Sequence, residues 1–190
     1  MWSSEDGKPD DKIQNFFIIE GTNALNVVNP SILKNASPIA KLDGHKVEIF
    51  KLEDATVCIV EEKDLNYFAT ITELLEPWIK AAKNCTIVSL QSLSDYKSED
   101  IPETCIIRSL NSQLKEFATL EAPNFITGAG AGIGTLRKIH DLPFSCYIVY
   151  VDLFDVIAIR TILKLLKRLD LPFDESVPLK PLHHKSDLYM

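Results

Sequence analysis

Two stretches of the chain carry residues whose types and spacing could do chemistry: a run of alternating glycines and the extreme C-terminus. The first is Gly128-Ala129-Gly130-Ala131-Gly132-Ile133-Gly134, which follows Asn124-Phe125-Ile126-Thr127 and precedes Leu136-Arg137-Lys138. A glycine-rich turn between a strand and a helix is a place where backbone N–H groups can cradle a phosphate. The register argues against that use. Read as G-x-G-x-x-G from Gly128, the last position falls on Ile133, and from Gly130 it falls on Thr135. The Gly-Lys-Ser/Thr of a P-loop is absent. Asp152 and Asp155 do follow at about the 20-residue distance at which an acid meets a ribose. The pattern favours small residues that let a helix approach the sheet closely. A small α/β nucleotide- or nucleoside-binding enzyme using residues 128–134 stands as the alternative.

Other constellations are thinner. His45 and His140 are isolated, and His183-His184 lie in a proline-rich stretch where no rigid shell would hold a metal. No Gly-x-Ser-x-Gly elbow or His-Glu-x-x-His pair is present. Glu61-Glu62 and Glu99-Asp100 read as solvated turn charges. Cys58, Cys85, Cys105 and Cys146 form no C-x-x-C pair, and each lies in or beside an apolar run. They read as reduced, buried small hydrophobes. No catalytic, cofactor-binding or metal-binding residue is assigned, and the chain is read as non-enzymatic.

The ending Leu188-Tyr189-Met190 is different. A terminal carboxylate can pair with a lysine or be caught by backbone N–H groups. Tyr189 adds a rigid aromatic body with a hydroxyl, and Leu188 an apolar contact. An apolar residue followed by Tyr arises there by chance in roughly one chain in a hundred. Residues 170–190 contain Pro172, Pro178 and Pro181, which favour an extended, partly polyproline tail. Such a tail would reach ~60 Å and present its tip at raised effective concentration. Leu188, Tyr189 and Met190 are therefore the expected partner-binding residues.

The elements that must position these groups read as an alternation of strands and helices. Residues 15–20, 46–51, 55–60, 85–90, 104–110, 124–127 and 147–151 read as strands, with a hairpin at 52–54. A short helix is expected after Gly21-Thr22-Asn23. Residues 65–83 carry Leu65, Phe68, Ile71, Leu75, Trp78 and Ile79 at helical spacing, with Pro77 expected to kink the helix. Residues 156–169 form a second amphipathic helix, with Ile157, Ile159, Ile162, Leu163, Leu166 and Leu169 inward. The implied architecture is an α/β three-layer sandwich with a largely parallel central sheet and a flexible C-terminal tail. Residues 1–13 are expected to be a disordered lead, 14–169 one domain and 170–190 the tail.

Composition limits the function classes. A net charge of -7 argues against a nucleic-acid surface, which needs clustered Lys and Arg. No run reaches the ~18 apolar residues of a membrane span, and the polar, acidic start is not that of a secretory signal. The expected compartment is the cytoplasm, with the nucleus as a second location.

Several segments share their order with a known family. They are the helix containing Trp78, then Thr86-Ile87-Val88-Ser89-Leu90 leading to Ser94-Asp95-Tyr96-Lys97, then Arg108-Ser109-Leu110. Ala122-Pro123-Asn124-Phe125-Ile126, the stretch from Pro143 to Asp152, the last helix and the tyrosine-containing end follow. In these the chain resembles the proteasome assembly chaperone 1 family, most clearly from Leu65 onward. The resemblance implies a heterodimer with proteasome assembly chaperone 2, seated on the 20S proteasome α subunits. It further implies that the terminal carboxylate and Tyr189 enter a groove between adjacent α subunits, with a pocket lysine as counter-ion. The expected role is to promote α-ring assembly, suppress off-pathway ring pairing and block premature activator binding, without cofactor or nucleotide.

Overall fold

Alternation of side chains is what builds the centre of the molecule. In β1 (Ile13–Glu20), Phe16 and Ile18 face one hydrophobic layer, while Phe17 and Ile19 face the other. A strand buried on both faces needs helices above and below it, and the computed structural model supplies them. It describes Pro9 and residues 12–97, 104–112 and 114–182.

In chain order, β1 is followed by α1 (Ala24–Val28), a π-helical turn (Asn29–Leu33), β2 (Ala40–Leu42), β3 (Val47–Lys51) and β4 (Thr56–Val60). Then come a 3₁₀ turn (Leu65–Tyr67), α2 (Phe68–Ala81), β5 (Ala82–Gln91), β6 (Cys105–Leu110), α3 (Gly128–Ile139), β7 (Phe144–Val151) and α4 (Val156–Arg168). The sheet order is β2-β3-β4-β1-β5-β7-β6. β4, β1, β5 and β7 run parallel, with β3 antiparallel to β4 and β6 antiparallel to β7. The expected three-layer sandwich is therefore present: α2 and α3 cover one face, and α1 and α4 the other.

Local chemistry explains the helix boundaries. The Asp64 carboxylate accepts from the Asn66 N–H at 2.9 Å and opens the turn that leads into α2. α2 then runs from Phe68 to Ala81 through Pro77. Asp155 caps α4 by accepting from Ala158 N–H at 2.8 Å, and Lys167 and Arg168 close it, matching the helix dipole.

Three details depart from the sequence reading. Residues 124–127 form no strand, and Phe125 is 71% exposed. Residues 128–134 are the first two turns of α3, not a loop. Ile157 points outward at 70% exposure, while Ala158 and Leu165 take inward positions on α4. After α4 the chain is irregular, as three prolines require, but it is laid on the domain. Leu171 is buried, Asp174 N–H donates to Ser31 O at 2.9 Å, and Leu182 N–H donates to Phe154 O at 2.9 Å. Phe173, Leu179 and Leu182 pack against the α4 side of the core.

Candidate functional site

The tripeptide Leu188-Tyr189-Met190, together with His183-His184, lies outside the described residues. What is described is the point from which that segment departs. Leu182 is bridged to Phe154, immediately after β7, at the edge of the sheet where the parallel strands end. Among the described residues, the exposed apolar side chains Leu65, Tyr67, Phe125, Leu153 and Ile157 also sit on segments at this carboxyl edge.

The same edge holds the glycine run, and the occupant of its N-terminal turn comes from the protein itself. Glu20 ends β1 on the face that also carries Phe16 and Ile18, and only 4% of it is exposed. Its Oε2 accepts from Gly130 N–H at 2.8 Å. A Cβ on Gly130 would stand 2.5 Å from Glu20 Oε1, and one on Gly128 2.8 Å from Oε2. Gly128 also has φ +83°, a left-handed backbone that disfavours any other residue. Gly132 and Gly134 make room for Thr72 of α2 and Phe144 of β7. The glycines therefore serve close packing. A phosphate approaching this helix start would meet a carboxyl group already bound there. Burial pushes the Glu20 carboxyl up to about 7, with the neighbouring Ser89 hydroxyl and the Gly130 and Ala129 N–H groups pulling the other way.

The carboxylates considered for a ribose are committed elsewhere. Asp152 Oδ1 accepts from Ser92 Oγ and from Leu93 N–H at 2.9 Å, and Asp155 is the α4 cap. His45 pairs with Glu62 at 3.3 Å and its ring meets Tyr67 edge-on, with centroids 4.8 Å apart. His140 lies 4.0 Å from Glu76. Glu61 accepts from Leu25 N–H at 3.0 Å, so it anchors α1 rather than facing solvent freely. Cys58, Cys85 and Cys146 are buried as expected, and burial raises all three thiols, Cys85 to about 12. Such thiols stay protonated and inert near neutral pH.

Segments singled out for their order in sequence meet in space. Lys97 N–H donates to Asn124 Oδ1 at 2.6 Å, and Asn124 Nδ2 donates to Lys97 O at 3.1 Å. Tyr96, only 3% exposed, donates its hydroxyl proton to Glu121 and accepts from Arg108 Nη2 at 2.6 Å. Arg108 also stacks over the Tyr96 ring at 5.0 Å and pairs with Glu121 at 3.3 Å. The Tyr96 hydrogen bond holds the Glu121 carboxyl below its ordinary range. This network ties the loop after β5, strand β6 and the approach to α3 into one rigid corner.

The sequence reading passed over Arg137. Its side chain is fully buried, it pairs with no carboxylate among the described residues, and it donates to backbone carbonyls instead. These are Ile79 O at 2.7 Å, Ala82 O at 2.6 Å, Lys83 O at 3.0 Å and Pro143 O at 3.1 Å. It gathers the end of α2, the start of β5 and the approach to β7. A buried guanidinium needs its donors satisfied, and here five bonds do so.

No protein-family model matches the chain, and no curated protein matches it in sequence. Solved structures match it in fold. One is a protein of unknown function from Thermoplasma acidophilum, at 13% identity and TM-score 0.61, covering 86% of this chain and 79% of that one. A second is PbaA of Pyrococcus furiosus, described as an archaeal homologue of proteasome-assembly chaperone, at 14% identity and TM-score 0.58 over 86% of this chain and 80% of that one. A third is PbaB of the same organism, described as an archaeal proteasome activator, at 11% identity and TM-score 0.55 over 92% and 90%. At such identities the likeness is one of fold, carried across nearly the whole α/β domain.

Proposed function

We propose that this chain is a non-catalytic proteasome assembly chaperone that docks through its C-terminal residues. The observation carrying this reading is the domain-wide fold likeness to PbaA and PbaB, whose descriptions name proteasome assembly and activation. The ending Leu188-Tyr189-Met190 supplies the docking chemistry: an apolar contact, a phenol and a carboxylate that a pocket lysine can neutralise. The chain pairs with a related α/β protein of the proteasome assembly chaperone 2 type, and the pair sits on the α-ring of the 20S core particle in the cytoplasm and nucleus. There it promotes ring assembly and keeps the ring from premature associations.

The docked stretch up to Leu182 tightens this picture. A span of eight residues follows Leu182, about 28 Å when fully extended, against the ~60 Å allowed by a free tail from residue 170. The carboxyl edge of the sheet must then lie within that distance of the pocket. A shorter tether raises the effective concentration of the tip once the domain is seated.

Purified α-ring and partner chaperone provide the test. Tyr189→Ala and deletion of Met190 should each weaken ring binding by ~2 kcal/mol or more, the scale of a buried aromatic anchor, while pairing with the partner chaperone is unchanged. Mass spectrometry of the native C-terminal peptide should find a free carboxylate on Met190. Ring binding that is indifferent to both variants rejects the plug.

A further inference from the structure

A groove of about 790 Å³ opens at the amino ends of β1 and β4, the opposite edge of the sheet from the glycine run. Its origin is a difference of register. β1 pairs with β5 from Ile13 onward but with β4 only from Phe16, which meets Thr56, the first residue of β4. Residues 13–15 therefore run past the start of β4. The hairpin tip between β3 and β4 flanks them there, and Asn15 Nδ2 donates to Asp54 O at 3.4 Å. Along this overhang, Ile13 and Trp78 line the groove as buried residues, whereas Leu52, Ala55 and Ile39 keep apolar surface in the open, Ile39 at 41% exposure.

The chain itself leads into this groove. Lys12 is one of the lining residues, and Pro9, three positions earlier, is half-buried. Eight residues precede Pro9, and Trp2 is the one aromatic among them. Ten residues of chain separate Trp2 from Lys12 and span up to ~35 Å, so the indole can come to any part of the groove. A side chain on so short a tether is present at an effective concentration on the order of millimolar, which a free partner must exceed to displace it. Charge agrees with this occupant. Four acids and one lysine give residues 1–11 a side-chain charge of −3. Lys12 and Lys51 stand along the groove as counter-charges, while the acids Glu53 and Asp54 are confined to the hairpin tip.

We propose that this groove is the docking site of the chain's own first residues, with the Trp2 indole seated against Ile13 and Trp78 beside Ile39. An indole carries more apolar area than the lead has elsewhere, and its N–H can find an acceptor at a partly polar wall. The site is independent of the C-terminal docking role, because the groove and Leu182 lie at opposite ends of the strands.

The test uses the full chain with fluorotryptophan at both tryptophans, Trp2 and Trp78. Fluorine NMR of the folded protein should show two resonances, both displaced from their position in urea, and Trp2→Phe identifies the one that belongs to Trp2. That resonance should lose the shift between light and heavy water that the unfolded chain shows. Ile39→Asp puts a charge on the open side of the groove at an exposed position. It should return the Trp2 resonance to its unfolded place while Trp78 stays where it was. Over about a hundredfold range of protein concentration the Trp2 resonance should not move, as docking on a tether requires. A Trp2 resonance with the unfolded position and the full solvent shift in the parent protein overturns the proposal. So does one indifferent to Ile39→Asp, or one that moves with concentration, since a second copy would then supply the indole.

Discussion

At the scale of single residues, Glu20 and Arg137 share a problem and solve it differently. Each is a charged side-chain type buried near the centre of the molecule. Arg137 stays cationic by donating to carbonyls at the ends of three elements, and that arrangement makes it a clamp. Glu20 has fewer partners, so burial dominates and its carboxyl titrates at about 7 rather than the ordinary 4.5. A carboxyl raised on folding binds its proton more tightly in the native state. Its contribution is complete below about pH 4.5 and is lost as the pH rises through about 7. The loss is on the order of 3 kcal/mol if Glu20 acts alone. Glu20→Gln, uncharged at every pH, should therefore flatten this part of the stability profile and be more stable than the parent at pH 8. Urea unfolding at pH 5 and pH 8 checks the sign, and equal pH slopes in both proteins would contradict the assignment. Neither residue stood out in the sequence. Glu20 looked like the polar stop of an apolar strand. The available signal was parity, since a glutamate two residues beyond Ile18 must face the same covered layer.

At the scale of elements, periodicity was a good guide wherever an element buries a regular face. β1, β4, β5 and β7 are legible as apolar runs, and α2 and α4 as helical stripes. The failures have separate causes. β2 has three residues, too few to show a period. Residues 124–127 look strand-like through Phe125 and Ile126, but Asn124 spends its side chain on Lys97, which fixes an irregular corner. Four glycines in seven residues argue against a helix, since each costs about 1 kcal/mol relative to alanine there. Helix α3 forms nonetheless because Glu20, Ile87, Thr72 and Phe144 occupy the space their side chains would need. On α4 the stripe holds at Ile159, Ile162, Leu163 and Leu166, but its first position is offset, with Ala158 turned inward and Ile157 to solvent. Two variants measure that offset. Ile157→Asp should change stability by no more than about 0.5 kcal/mol, whereas Ile162→Ala at a fully buried position should cost ~2–4 kcal/mol. Similar losses at both sites in thermal unfolding would contradict the observed face.

At the scale of the whole molecule, the domain does not end with its last helix. The stretch from Leu171 to Leu182 adds a buried leucine, three partly buried apolar side chains and three backbone hydrogen bonds to the α4 side. A chain ending at Leu182 should melt with the intact protein, while one ending at Leu169 should lose ~3 kcal/mol, or about 2–4 °C per kcal/mol. Differential scanning calorimetry of the two truncations separates a structural strap from a passive leash. The sequence could not separate them, because prolines dictate extended backbone but do not say what it lies against. The sheet order has one more consequence, for the birth of the protein. β6 is synthesised before β7 but sits outside it, and β7 is its only ladder partner among the described strands. While the ribosome translates residues 111–143, β6 can meet only the short segment 118–120 at Ser109, and both its β7-facing edge and the flank of β5 reserved for β7 are bare. A nascent chain paused there shows two open backbone edges, the state most prone to mispairing. Only when Val151 has left the exit tunnel can that half of the sheet close.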